Sequence, residues 1–539
     1  MPIFRTSLRL GLRFRKKEAK EKAEEGKELE GAVEEVVKSG RVVHKLYSIN
    51  KGFRIIEEYA VREPFAYIHI VEDEETGRLF YEVYEVSLNE EEQKIFNELR
   101  DHIIWEIKPL TSLDVDASKE LLRTARRVLR EFQIRFTKTP SLSWSKIAYY
   151  VERDLLGFST LDPIFRDRHV EDISCNGLGR PVYVWHRKYE SLPTNIVFQS
   201  EEELDDYILK LAHMAGKHIS VAYPVLDAIL PGGHRLAATF KKEVSTSGST
   251  FTIRKFSESP ITIADMISFK TISPDVAAYF WLAMDFKMTT LILGVTGAGK
   301  TSTLNALATL LRPTYKIVTI EDTPEIRIPH ENWVQLVSRP SYVGSGVGEV
   351  SLFHLVKLSL RYRPDVIIVG EVRGEEAYVL FQAIATGHSG MTTLHAENID
   401  AAVKRLTSKP MEIPPSYIPL VNMAMVIRRV QIRDERGKVR PARRITNVWE
   451  VRDYENYLEV AKWEPAEDTF SIDLRNSVVL RKICELTGKP FDTVLEEVEK
   501  RKRVLQWLVK SGRTDYRSVA TYVYKYYVNP EGLLKEIGQ

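Results

Sequence analysis

The chain has 539 residues, 44% hydrophobic and 28% charged, which is a soluble composition too long for one ordinary core. Its 77 basic and 75 acidic residues nearly cancel to +2, which argues against a nucleic-acid binder, since these usually carry a strong basic excess. Two cysteines, Cys175 and Cys484, exclude a four-cysteine zinc site and a disulfide framework, so a reducing interior is expected; no run of about 18 apolar residues suits a membrane span, and no secretory signal is expected.

Residues 1–40 read as a charged arm. "SLRLGLRFRKK" alternates leucines with arginines and "EAKEKAEEGKELE" is almost all charge. Such a segment is either a solvated tail or a basic amphipathic arm that meets a membrane surface or partner. Residues 41–155 form the next region. From 41 to 110 the pattern reads as strands, with a hairpin signal at Glu75-Thr76-Gly77 inside "FAYIHIVEDEETGRLFYEVYEV". From Ser118 to about Arg166 apolar residues return every three or four positions, with Leu121, Leu122, Ala125, Val128, Leu129 and Phe132 on one helical face.

Residues 156–259 read as a small α/β module. It has a helix near 201–215, a Gly232-Gly233 turn and a last strand in "STFTIRKF", and a hinge is expected near Pro260. Residues 260–539 open with a strand–loop–helix beat: "TTLIL", "KIVTI", "DVIIV" and "MTTLH" are strands of a parallel sheet. The tail from about 475 is helical, with Phe491, Val494, Leu495, Val498, Leu505 and Leu508 on one face and a stop at Gly512.

The chemistry is concentrated in this last region. "GVTGAGKT", Gly294 to Thr301, matches G-x-x-x-x-G-K-[ST] between a strand and a helix. Its glycines let backbone N–H groups converge on phosphate oxygens at a helix N-terminus. Gly294, Val295, Thr296, Gly297, Ala298, Gly299, Lys300, Thr301 and Ser302 are the candidate ATP-binding residues, with Lys300 on the β- and γ-phosphates and Thr301 on Mg²⁺. "IEDTPE" sets Glu321, Asp322 and Glu325 at the C-terminal end of a strand, where open parallel sheets bind ligands; a capped turn is the other reading. "RPDVIIVGE" ends in Glu371, a candidate acid near Mg²⁺ and the attacking water, with Gly370 where many such enzymes have a metal-binding Asp. "ATGHSGMTTLHAEN" places His388 and His395 on either side of a strand, as candidates for sensing the γ-phosphate. "VGSGVGEVS", 343–351, reads as a mobile loop and not a second nucleotide site.

These four motifs, in this order, resemble the type II/IV secretion ATPase superfamily, with its Walker A, aspartate, atypical Walker B and histidine boxes. "LDPIFRDRHVEDISCNG" and "LPGGHRLAATF…FTIRKF" look like that family's N-terminal module. "INKGFRIIEEYAVREPFAYIHIV" and the helical tail look archaeal, most like the motors of the archaellum or of archaeal type IV pili. The likeness covers roughly residues 42 to 530. It implies a RecA-like P-loop ATPase domain with a parallel-sheet core, preceded by a smaller PAS-like α/β module and an additional β plus helical region.

It also implies roles. Glu325 activates water, and Glu371 organises Mg²⁺. Arg235 and Arg254 reach the nucleotide from the N-terminal module; Ile229 stands where the family has a further arginine. The family works as a homo-hexamer with ATP bound between the modules, and release of phosphate lets them rotate apart. A polytopic membrane platform protein and accessory motor proteins would be the partners, at the cytoplasmic face of the cell membrane. Two other readings remain open on the residues alone: a nucleic-acid translocase, and a nucleotide-gated scaffold without turnover.

Overall fold

The computed structural model describes residues 52–106, 117–132, 140–256, 260–339, 348–433 and 439–538. The arm at 1–40 lies outside them, as do 257–259 of the expected hinge and 343–347 of the glycine-rich stretch. The described chain forms two compact units, divided after Phe256.

The first unit is built on a sheet of β1 (Phe53–Arg62), β2 (Ala66–Asp73), β3 (Leu79–Glu85), β4 (Val170–Cys175), β5 (Pro181–His186), β6 (Glu190–Val197), β7 (Val225–Ile229), β8 (Arg235–Thr239) and β9 (Thr250–Arg254). Their spatial order is β1-β2-β3-β6-β5-β4-β9-β8-β7. The expected hairpin joins β2 to β3. Gly77 takes the left-handed φ of 67°, and Asp73 Oδ1 accepts the Glu75 N–H at 2.9 Å. A buried carboxylate ties the outer strands inward: Asp167 accepts the hydroxyls of Tyr59 at 2.7 Å and Tyr81 at 2.9 Å.

The strand reading of 41–110 needs correction, because Glu90–Glu106 is a helix. Ile95, Leu99 and Ile103 recur every four residues and bury one face in a small core. That core is shared with helices Ala117–Glu131 and Pro140–Leu155. Phe132 does not join it. It lies one residue beyond its helix, 50% exposed, with its ring stacked on His102. Helix Glu201–Met214 falls where expected and is capped by Ser200, whose side chain accepts the Glu203 N–H at 3.1 Å.

The second unit is a sheet of β10 (Thr290–Leu293), β11 (Ile317–Glu321), β12 (Trp333–Val337), β13 (Val366–Val369), β14 (Ser389–Leu394), β15 (Met423–Arg433), β16 (Val439–Asp453), β17 (Asn456–Glu464) and β18 (Thr469–Ile472). Its order is β12-β11-β13-β14-β10-β15-β16-β17-β18. The strands from β12 to β15 in that order are parallel, and β15 to β18 are antiparallel. β10, β13 and β14 are buried along their whole length, as short apolar runs in a covered parallel sheet must be.

The tail helices close one face of this sheet. Helix Phe491–Lys510 buries Val494, Val498, Val504, Leu505 and Leu508, and Gly512 follows at φ 67°. Arg501 lies on the same buried stripe. Its guanidinium donates to Asp285 at 2.8 Å and sits over the rings of Trp281, Tyr526 and Tyr527. Arg312 donates to the other oxygen of Asp285, also at 2.8 Å. A second buried carboxylate, Glu450 on β16, accepts the Tyr279 hydroxyl at 2.6 Å and the Val478 N–H at 2.6 Å, so it caps helix Val478–Thr487. Among the described residues no helix is long and apolar enough to cross a membrane.

Candidate phosphate-binding site

Residues 294–299 connect β10 to helix Lys300–Ala308 at the C-terminal edge of the parallel sheet. Two glycines there are required by geometry. A Cβ at Gly294 would lie 2.6 Å from the Ile427 carbonyl oxygen, and Gly299 holds φ at 105°. The first N–H groups of the helix are therefore left facing the loop, as an anion site needs. Thr301 and Ser302 occupy its first turn.

Lys300 reaches back over the loop. Its ammonium donates to the Val295 carbonyl at 3.4 Å and stands 3.9 Å from Glu371 Oε1, with only 10% of the side chain exposed. Burial pushes this ammonium below its ordinary value; Glu371 pulls it back up and Arg405 pushes it down. An anionic phosphate placed here would favour the charged form further. Glu371 follows β13 and is open to solvent at 45%.

His395 follows β14 and meets the loop directly. Its Nε2 accepts the Thr296 N–H at 3.1 Å and lies 3.1 Å from the Thr296 hydroxyl. The neutral ring must then carry its proton on Nδ1. His388 is not brought to the loop. It precedes β14, so the strand separates the two histidines by about 20 Å. It instead closes helix Glu376–Ala385, with Nδ1 3.1 Å from the Ala383 carbonyl.

Glu321 differs from the expectation of a nucleotide contact. Its side chain is buried and its oxygens are engaged in the turn that follows. Oε1 accepts the N–H groups of Glu325 at 2.8 Å and Ile326 at 2.7 Å, and Oε2 accepts Gln335 Nε2 at 2.9 Å. The contacts are those of the capped turn: Glu321 shapes the turn that carries Glu325. Asp322 extends the tether, accepting the Ser338 hydroxyl at 2.8 Å and pairing with Arg373. Gly370 borders the same carboxylate. A Cβ there would lie 3.4 Å from Glu321 Cγ, so an aspartate at 370 would set a second acid against a buried one.

Burial pushes the Glu321 carboxyl up to about 7, against the pull of its three N–H donors. Its folded value exceeds its ordinary 4.5, so the native state holds the extra proton between about pH 4.5 and 7. The stability it contributes is full below that window and is lost as pH rises through it. Glu321→Gln cannot titrate. Between about pH 5 and pH 7 the wild type is expected to lose on the order of 2 kcal/mol relative to this variant, read from urea unfolding at both pH values.

In the first unit Arg235 and Arg254 are cross-strand neighbours on β8 and β9. Arg235 pairs with Asp227 at 2.9 Å and Arg254 with Asp172 at 3.2 Å, and both side chains are about half exposed. Ile229 lies opposite Arg235, so across β7, β8 and β9 this row carries one apolar residue and two arginines.

Three residues around the loop are not singled out by sequence reasoning. Arg405 donates to the His395 carbonyl at 2.8 Å, Arg373 holds Asp322, and Gln335 holds Glu321. Gln335 comes from β12, Arg405 from helix Ile399–Thr407 and Arg373 from the loop after β13, and the fold brings them in. Among the described residues no group of three or more His, Cys, Asp or Glu side chains could hold a metal ion alone.

A lysine-bearing phosphate loop in mid-sheet, with acids after two strands on its β14 side, defines the class: the chain is a P-loop ATPase of the RecA-like α/β kind. Residues 167–432 match the family model described as "Type II/IV secretion system protein". The chain is 35% identical over 498 residues to the uncharacterised protein MJ0900 of Methanocaldococcus jannaschii, covering 87% of this chain and 88% of that one. The chain belongs to the type II/IV secretion system protein family. It is also 27% identical to protein VirB11 of Agrobacterium tumefaciens over 302 residues, covering 51% of this chain and 81% of the relative. The solved Legionella pneumophila ATPase DotB is similar at 17% identity and a TM-score of 0.40, covering 69% of this chain and 92% of that one.

Proposed function

We propose that this ATPase is a hexameric motor that powers assembly or rotation of an archaeal type IV pilus-like filament, archaellum or pilus, through a polytopic membrane platform protein. The observation that carries the motor reading is the meeting of Lys300, Glu371 and His395 on one phosphate loop. The filament reading is supported by the four boxes read together and by the near full-length match to a protein of an archaeon. It sets the protein at the cytoplasmic face of the membrane, held there by its platform and accessory motor proteins.

In this reading each box has a role. Lys300 and the loop N–H groups bind and orient the phosphates. Glu325 takes the proton of the attacking water, on a turn fixed by Glu321. His395 holds the loop at Thr296. The family resemblance assigns Arg235 and Arg254 the supply of positive charge to the phosphates. Thr301 and Glu371 would hold Mg²⁺ through two oxygens, few enough for a cation that keeps much of its water. When bound it neutralises phosphate charge.

Hydrolysis and phosphate release remove negative charge beside Lys300, and that loss is the event a motor converts into movement. The test is the mass of the purified protein, with and without ATP, beside its steady-state turnover. A six-fold assembly that hydrolyses ATP without nucleic acid is expected. Turnover by a monomer, or turnover that needs DNA or RNA, overturns the reading.

A further inference from the structure

β11 lies between β12 and β13 in the sheet, parallel to both, so the chain leaves all three strands at one edge. Asp322 is the first residue past β11. Its two oxygens go to the continuations of the two neighbouring strands. Oδ1 accepts the hydroxyl of Ser338, just past β12, at 2.8 Å, and Oδ2 accepts from Nη2 of Arg373, in the loop past β13.

The two stretches joined in this way each carry one of the acids proposed to act on ATP: Glu325 shortly after Asp322, and Glu371 shortly before Arg373. Each stretch is pinned separately by a buried glutamate. Glu321 accepts the N–H groups of Glu325 and Ile326. Glu376 accepts the N–H groups of Arg373 and Gly374 on Oε1, both at 2.7 Å. The Val372 N–H donates to the Thr393 carbonyl at 3.0 Å, and the Val372 side chain is buried while Glu371 and Arg373 are exposed.

The backbone ladder between β11 and β13 ends where the Gly370 N–H donates to the Ile320 carbonyl at 2.9 Å. Beyond it the pair of Asp322 and Arg373 bridges the two turns through side chains. We propose that Arg373 is a positioning residue for ATP hydrolysis: by pairing with Asp322 it holds the loop of Glu371 in place against the turn of Glu325. This role rests on the catalytic reading of those two acids given above. The pair is open to solvent, at 63% and 37% of the side chains, and such a pair adds little to the stability of a fold. A small shift of one acid against the other costs rate. Loss of the bridge should therefore appear in kcat and not in the melting temperature.

The experiment is steady-state ATP hydrolysis by the full chain in a double-mutant cycle of Arg373→Ala and Asp322→Ala, beside calorimetric binding of ATP and ADP. Each single variant is expected to lower kcat by roughly fivefold and to keep both affinities within about twofold of wild type. The double variant is expected to be no slower than the slower single one. Arg373→Lys, which keeps the charge, is expected to recover part of the loss. If Asp322→Ala melts early, Asp322→Asn keeps an acceptor for Ser338 and closes the same cycle. Losses that multiply in the double variant, or an unchanged kcat in Arg373→Ala, overturn the role. A loss of ATP affinity in Arg373→Ala that Asp322→Ala does not share also overturns it, because Arg373 would then touch the nucleotide itself. Wild-type protein without turnover, or with turnover that Glu325→Gln leaves unchanged, overturns the reading of the acids on which this role depends.

Discussion

Lys300→Ala is expected to reduce ATP turnover at saturating nucleotide by about 10²–10³-fold, the cost of removing one preorganised donor from a developing charge. The side chain is 10% exposed and spans the loop from Val295 to Glu371. On the described strands flanking β10 no other lysine ends at this loop, and Arg405, the cation that most depresses it, is engaged with the His395 carbonyl. Alanine leaves Gly299 and the helix start untouched, so the melting temperature should barely change. Phosphate release by the folded variant at more than a third of the wild-type rate would sink the assignment.

Glu325→Gln is expected to separate binding from chemistry. Loss of a general base lowers kcat by about 10²–10⁴-fold. Binding should survive, because the turn is fixed through backbone N–H groups of Glu325 and Ile326 that the substitution leaves in place. The measurement is single-turnover hydrolysis beside ATP titration. An ATP affinity within about twofold of wild type, with hydrolysis lost, fits the role. Equal losses in both would mean that Glu325 holds ATP and does not act on water.

Much of the second unit is legible in the sequence, and the physical reason is plain. A strand covered on both faces must be apolar throughout, so "TTLIL", "KIVTI" and "DVIIV" declare themselves. The phosphate loop does so too, because glycines and a lysine at fixed spacing have few other uses. β16 and β17 are not legible in the same way. β16 is rich in arginine and β17 mixes polar with apolar residues, and pairing of β15 with β16 and of β16 with β17 supports them more than their own pattern does.

Helix Glu90–Glu106 carried its four-residue repeat openly, but its neighbours β2 and β3 impose a two-residue beat that masks it. Long-range partners are the rest. Arg501 interrupts an apolar stripe, and nothing near it in sequence says that Asp285 and three rings receive it. His388 and His395 look equivalent on paper. A strand's length decides that only one of them reaches the loop.

The Asp285 cluster has a practical consequence for anyone who would trim this chain. Helix Pro274–Asp285 runs directly ahead of β10 and ends in a carboxylate shared by Arg312 and Arg501. Cutting before Phe491 would take away Arg501, Tyr526 and Tyr527 together. The indole of Trp281 would lose its hydroxyl partner, and an apolar flank of the nucleotide-binding body would face water. The last fifty residues are therefore a wall of the engine and not a handle attached to it. A shortened version would be expected to clump before it could be assayed.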